Sequence, residues 1–79
     1  MPNIYKKTAL TGGGATALDG IDGNALSDGD IAFVCASDVF YPYQLDADSG
    51  AAESSPLVIA PDTNPGDKRW ILQVPYAAP

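Results

Sequence analysis

The sequence predicts an all-β fold, a small compact sandwich or barrel-like module of about five short strands. Short apolar runs rich in β-branched and aromatic residues recur along the chain, and clusters of glycine, aspartate and proline separate them. The stretch with near-helical apolar spacing is interrupted by glycines, which disfavour a long helix. Because the chain has 79 residues, we predict a single domain over residues 1–79, with 75–79 as a short tail.

The first third of the chain is predicted to contain one strand and a long connection. Asn3–Leu10 alternates imperfectly between polar and apolar residues and is predicted as a strand. Gly12–Gly14 ends it, because three consecutive glycines favour a turn. Ala15–Asp30 is predicted as an irregular connection with at most a single helical turn, and its Asp-Gly pairs as turn formers. We expect its apolar side chains to point inward, namely Leu18, Ile21 and Leu26.

The middle of the chain predicts a β-hairpin. Ile31–Ala36 is apolar on both faces, which is typical of a central strand or of a strand buried in a subunit contact. Its Cys35 is expected to be a buried, inert thiol. Val39–Leu45 runs back after a short turn at Ser37 and Asp38. Since Pro42 cannot donate to a strand ladder, we predict that this second run lies at a sheet edge or contains a bulge.

The last third predicts a second strand pair. Asp46–Ser55 is a polar loop, and the apolar runs Leu57–Ala60 and Trp70–Val74 follow it. The residues between these runs favour a polar turn, with Pro61, Asn64, Pro65 and Gly66 as its main elements. The two runs are therefore predicted as antiparallel neighbours in a hairpin or a strand-loop-strand corner.

The charge balance excludes several classes of partner. Ten acidic residues against four basic residues give a net charge of −6, which disfavours binding to nucleic acid or to an anionic membrane. No apolar run is long enough to cross a bilayer, and no secretory signal is evident. One cysteine and no histidine exclude an internal disulfide and an ordinary zinc site. A chain this short without such cross-links is expected to self-associate.

No residue pattern indicates catalysis, a metal or a cofactor. Asp46–Gly50 imitates the start of a calcium loop but lacks the later oxygen ligands, so we expect a turn there. Carboxylates are abundant, but none stands in a recognisable pair and no histidine is present to act as a base near neutral pH. The chain is therefore predicted not to be an enzyme, with no catalytic residue, metal ligand or cofactor.

The apolar and aromatic side chains are the remaining candidates for function. The tyrosines and the single tryptophan predict either ordinary packing in a small sheet or a glycan or partner contact formed by Tyr41, Tyr43 and Trp70. We expect the core and the subunit contact to come from the apolar strand faces, chiefly Ile31, Phe33, Val34, Val58, Ile59, Trp70, Ile71 and Leu72.

The order of several motifs resembles a module of tailed-bacteriophage structural proteins. A glycine-rich lead at Gly12–Gly14 is followed by the acidic stretch Leu18–Ile21 and by Gly29–Asp30. Further along, the matching positions are Tyr43–Asp46, Pro56–Asp62 and Arg69–Leu72, so the resemblance covers roughly positions 9 to 74.

This resemblance implies a non-enzymatic virion structural protein, of the tail-fibre, head-fibre or capsid-decoration type. It implies a homotrimer, closely packed or intertwined, at the capsid or tail surface after synthesis in the host cytoplasm. Because the match comprises the module without a shaft or receptor-binding head, a head fibre, capsid decoration or tail accessory protein is favoured. Met1–Leu10, which carries two of the basic residues, is then expected to anchor the chain to other virion proteins.

Two other functions stay open from the sequence. A carbohydrate-binding module would adhere to a cell-surface glycan through Trp70 and the neighbouring tyrosines. A small subunit of a polysaccharide-acting enzyme is a third class, for which the carboxylates are available but unpaired.

Overall fold

The structure is a computed structural model that describes residues 3–36, 38–55 and 57–73. These residues form a single five-stranded sheet of mixed direction, with strands in the order β1-β2-β3-β5-β4. Helical structure in this part of the chain is confined to two single 3₁₀ turns, Leu18–Gly20 and Gly23–Ala25. The all-β prediction is therefore confirmed. The strands are β1 (Ile4–Lys7), β2 (Ile31–Ala36), β3 (Val39–Asp46), β4 (Val58–Ile59) and β5 (Arg69–Leu72).

The two predicted strand pairs are present. β2 and β3 pair antiparallel from Ile31↔Gln44 to Ala36↔Val39, and Asp38 in the turn has a positive φ of 64°. Aspartate tolerates this left-handed conformation better than most residues because its short polar side chain can bond locally. β4 pairs antiparallel with β5 through Ile59↔Trp70. The predicted turn residue Ser37 and the predicted strand end at Val74 lie outside the described residues.

The prediction that Pro42 places β3 at an edge or in a bulge is wrong, because β3 lies between β2 and β5 and its register with β2 is unbroken at Pro42. The carbonyl oxygen of Pro42 accepts a hydrogen bond from the N–H of Gln73, at 2.8 Å. The nitrogen and the oxygen of one strand residue face the same side, so the Pro42 nitrogen faces the β5 side. The missing N–H therefore removes no ladder bond between β3 and β2. On the other side β5 ends at Leu72, so no bond of the β3–β5 ladder is lost there either.

β1 pairs parallel with β2, in the register Ile4↔Ile31 to Lys7↔Val34. A parallel pair needs a long crossover connection. Here it is residues 8–30, which we call the crossover segment. The strand is shorter than predicted because the N–H groups of Thr8 and Ala9 both turn to the carbonyl oxygen of Thr16, at 3.0 and 3.1 Å.

The crossover segment packs on one face of the sheet, which we call the inner face. As predicted, Leu18, Ile21 and Leu26 are buried. Trp70 on β5 is fully buried in the same cluster, and the ring of Tyr5 stands edge-on to it with a centroid distance of 6.1 Å. The other members of this cluster come from the strands and are Ala32, Val34, Tyr43, Leu45 and Ile59.

Two buried carboxylates hold the crossover segment in place. Asp30 is fully buried, and its two oxygens accept hydrogen bonds from the N–H groups of Asn3 and Ser27, both at 2.9 Å. Asp19 is also buried and accepts from the N–H of Gly13, at 2.9 Å. Burying a carboxylate is unfavourable unless it is hydrogen-bonded, so each of these contacts fixes the local path of the chain.

The crossover segment is also joined to the β4–β5 loop. The N–H of Gly23 donates to the carbonyl oxygen of Thr63 at 2.8 Å, and the Lys68 ammonium donates to the carbonyl oxygen of Gly23 at 2.7 Å. The Asn64 amide donates to the Asp22 carboxylate at 3.0 Å. This bond lowers the pKa of Asp22 below its ordinary value, and a hydrogen bond from the N–H of Asn24 makes the second largest contribution in the same direction.

The chain reaches the compactness of an ordinary domain by itself. Its radius of gyration is 11.5 Å, against about 12 Å expected for a folded chain of this length. The fold is therefore fully collapsed, and a partner would contact the surface that it leaves open.

We expect Asp30→Ala to lower the free energy of unfolding by about 2–3 kcal/mol, because the N–H groups of Asn3 and Ser27 lose a charged acceptor. Asp48→Ala is the matched control: Asp48 is exposed, and its replacement should change stability by less than about 0.5 kcal/mol. Urea denaturation followed by tryptophan fluorescence measures both. Equal stabilities for the two variants would contradict the role given to Asp30.

We expect Gly23→Ala to destabilise the fold by about 1–3 kcal/mol, because a Cβ there would overlap the backbone carbonyl of Asn64. Gly14→Ala is the control, since nothing lies within 4 Å of the Cβ that it would add. Thermal unfolding should separate the two variants by several degrees. If Gly23→Ala unfolded at the same temperature as the wild type, the close contact between Gly23 and the β4–β5 loop would be contradicted.

Candidate interaction surface

Strand alternation places a second set of side chains on the side of the sheet away from the crossover segment. The register puts Ile4 beside Ile31, Ile31 beside Gln44, and Gln44 beside Ile71, in one row across the strands. A second row contains Lys6, Phe33 and Pro42. We call this surface the outer face and define it by Ile4, Lys6, Ile31, Phe33, Cys35, Phe40, Pro42, Gln44, Val58 and Ile71.

The outer face is largely apolar and open to solvent. Ile4 is 64% exposed and Phe40 is 58% exposed. Phe33 stacks on Phe40 with a centroid distance of 5.5 Å and an interplanar angle of 22°. Ile31 and Ile71 are half-buried. These side chains form an apolar surface that is interrupted by Lys6 and Gln44, and exposed apolar surface on a folded domain indicates an interaction site.

The predicted contact residues divide between the two faces of the sheet. Val34, Ile59 and Trp70 belong to the core, and Leu72 packs partly against it. The remaining members of the predicted set lie on the outer face, where they are half-buried, and are Ile31, Phe33, Val58 and Ile71. Apolar composition is common to both groups, and only the register of the strands assigns each residue to its face.

Cys35 is exposed, so the prediction of a buried thiol is wrong. β2 alternates, with Ala32 and Val34 buried on the inner face. Cys35 is therefore directed to the outer face, opposite Phe40 on β3. A run that is apolar on both sides suggested double burial, yet the crossover segment covers only one side.

The predicted aromatic platform is not formed by the residues proposed for it. Trp70 is 0% exposed and Tyr43 is 1% exposed, because both lie in the core. Tyr41 is half-buried and packs against the same core. Stacking on a sugar needs an accessible ring face, which Trp70 and Tyr43 do not offer, and this part of the prediction is corrected.

A recess of about 350 Å³ opens where the outer face meets the polar end of β3. No local pattern in the sequence predicts this recess, because its residues come from separate strands and loops. Its amides and carboxylates already make contacts: the Gln73 amide donates to the Ile71 carbonyl at 3.2 Å, and Asp28 accepts from the N–H of Ala47 at 2.9 Å. The lining residues are Asp28, Gly29, Gln44, Leu45, Asp46, Ile71 and Gln73.

Two further findings concern metals and membranes. Within residues 3–36, 38–55 and 57–73, no group of three or more histidine, cysteine, aspartate or glutamate side chains could hold a metal ion. None of the helical turns in this part of the chain has the length and apolar character needed to cross a membrane.

Comparison with known proteins gives no match. No protein-family model matches the chain, and neither the curated proteins nor the solved structures contain a significantly similar sequence or fold.

Burial gives Tyr43 a testable pH response. Desolvation, with a smaller contribution from Tyr41, raises the pKa of Tyr43 from 10.0 to about 12. The stabilisation from keeping this phenol neutral is fully present below pH 10 and is lost as the pH rises towards about 12. We expect Tyr43→Phe to reduce the loss of stability in this range.

Unfolding at pH 9 to 12.5 measures this effect, with absorbance at 295 nm reporting ionisation of tyrosine. Tyr41→Phe is the control and should keep most of the alkaline decline. If Tyr43→Phe and the wild type lost stability in parallel, Tyr43 would not be held neutral by the core.

Proposed function

We propose that this chain is a non-enzymatic structural protein of a bacteriophage particle that works as a homotrimer. The observation that carries the proposal is the outer face, an apolar surface on a domain whose own core is already complete. Such a surface favours a protein whose work is lasting contact with other proteins. Its place on the particle would be a head fibre, a capsid decoration or a tail accessory.

The sequence resemblance supports this function because its motifs fall on residues that hold the fold together. Gly13 of the glycine-rich lead donates to Asp19, and Asp30 of the Gly-Asp pair fixes the crossover segment. Tyr43–Asp46 falls in β3, and Arg69–Leu72 is β5. The motifs that carry the resemblance are thus residues that build this sheet and cover its inner face.

The width of the sheet is compatible with a trimer. Four spacings of about 4.8 Å separate β1 from β4, which gives about 19 Å. Three such sheets facing a common axis would each lie about 5.5 Å from it, close to half of the ~10 Å separation of packed sheets. Four sheets would lie about 9–10 Å from the axis and leave a void. In the proposed assembly, a sandwich-like or prism-like core forms between copies.

The proposed anchor at Met1–Leu10 takes a more specific form. β1 belongs to the sheet, and Tyr5 packs against the core, so deleting this segment would damage the fold itself. The Lys7 ammonium donates to the Ala15 carbonyl at 2.9 Å. Lys6 is exposed on the edge strand β1, at the rim of the outer face, and we assign to it any electrostatic contact with an acidic neighbour in the particle.

The second candidate function is glycan binding, which the recess favours. Amides and carboxylates beside an apolar side chain suit the hydroxyl groups and the ring of a sugar. The residues to test are Gln44 and Gln73. Trp70 is unsuitable, because Trp70→Ala would remove a fully buried side chain and cost about 3–5 kcal/mol of stability.

Particles of the phage that encodes the chain provide the test. We expect mass spectrometry and immunogold labelling of purified particles to find the chain at copy numbers divisible by three. Lys6→Glu should lower its incorporation, whereas Lys7→Gln, the control, should not. A chain that is made during infection but is absent from purified particles would contradict the proposal.

A glycan array decides the alternative. Binding by the wild type that is lost in Gln44→Ala and Gln73→Ala variants of normal stability would favour adhesion over a purely architectural role. We expect no binding. Both side chains are exposed, so their replacement should leave the fold intact.

A further inference from the structure

We propose that the outer face packs against the outer faces of further copies of this chain, with the strands of all copies pointing the same way along a shared axis. The inference rests on the proposed function in taking the chain to be a self-assembling structural protein. It adds the direction of the copies and the contacts that select it, which do not follow from trimer formation alone.

The outer face changes character along the strands. One end carries the Asp46↔Arg69 pair, next to the row of Ile4, Ile31, Gln44 and Ile71. At the far end lie Phe33, Cys35 and Phe40, with the two aromatic rings stacked. The face therefore has a charged end and an uncharged, apolar end, separated by the length of β2.

This gradient selects the direction of packing. If the strands of two copies ran in opposite directions, the aromatic end of one copy would cover Gln44 and Asp46 of the other. Burying these polar groups against rings without new hydrogen bonds is unfavourable. If the strands run the same way, Phe40 meets Phe40 at one end, and the polar groups stay together near solvent at the other end.

Charge favours a second copy as the occupant. The chain carries a net charge of −6, but the charged side chains on and bordering the outer face are Lys6, Arg69, Asp28 and Asp46, two of each sign. Most acidic groups therefore lie elsewhere, and two outer faces can approach without strong like-charge repulsion. A strongly basic partner would instead be drawn to the acidic surfaces outside this face.

The size of the face sets the expected strength. A sheet about 19 Å wide and about 20 Å long offers a flat area of about 400 Å² per copy, without the extra surface of protruding side chains. This is as large as the biggest apolar patches of typical monomers but below the ~800 Å² per partner of a standard interface. We therefore expect reversible association of the isolated chain, with a mass that rises with concentration.

Cys35 reports the direction of packing without any engineered residue, since it is the single cysteine of the chain. It lies on the outer face near the apolar end, one strand away from the central strand β3. With strands in the same direction, the sulfurs of different copies gather around the axis at one level. With opposite directions they are displaced by about four residues, roughly 13 Å along the strands.

The experiment combines sedimentation with cross-linking by a short bis-maleimide at Cys35. The wild type should associate and form covalent dimers through Cys35. Phe40→Ser should weaken association at least about tenfold, a loss expected for one large interface side chain. Val39→Ser is the control: Val39 is 46% exposed but points to the opposite side, and its replacement should change association less than about twofold.

Circular dichroism confirms that each variant folds, and Ile4→Ser provides a second outer-face change if Phe40→Ser does not fold. A monomer at concentrations up to about 1 mM would overturn the inference. So would association that survives both outer-face variants, or association without Cys35 cross-links. Absence of the chain from particles would instead overturn the proposed function and leave these results standing. A dimeric mass with Cys35 cross-links would support the inference and contradict the trimer.

Discussion

The crossover segment covers the inner face of the sheet, and the rest of the structure depends on this contact. An irregular stretch with several glycines has little intrinsic order, so its path must be fixed by side chains. The Asp30 carboxylate does this at one end by bonding the N–H groups of Asn3 and Ser27, and Asp19 does it near the glycine-rich turn. Leu18, with Ile21 and Leu26, can then close the core around Trp70.

A sheet that is covered on one side by a connection of this length is left with an open second side. The outer face follows directly, because strand alternation sends every other apolar residue of β2, β4 and β5 away from the core. A polar outer face would give a finished monomer. Here Ile4 and Phe40 are exposed instead, which suits a protein that is completed by contact with its neighbours in an assembly.

Much of this arrangement could be predicted from the sequence. The β2–β3 hairpin, the pairing of β4 with β5 and the inward direction of Leu18 all follow from local patterns. The prediction for Pro42 failed because β5 ends before the position that would need the Pro42 N–H, so no ladder bond is lost. The prediction for Cys35 failed because local composition does not show which face of the sheet is covered. The burial of Asp19 gave no signal either, since its Asp-Gly pair also predicts a plain turn.

The most direct measurement of the two-faced sheet uses the five isoleucines of the chain. Methyl NMR with a soluble paramagnetic probe should broaden Ile4, Ile31 and Ile71 in dilute protein and spare the buried Ile21 and Ile59. As the protein concentration rises, the first three methyl groups should become protected together. Equal broadening of all five methyl groups, or outer-face methyl groups that stay accessible at every concentration, would contradict the account.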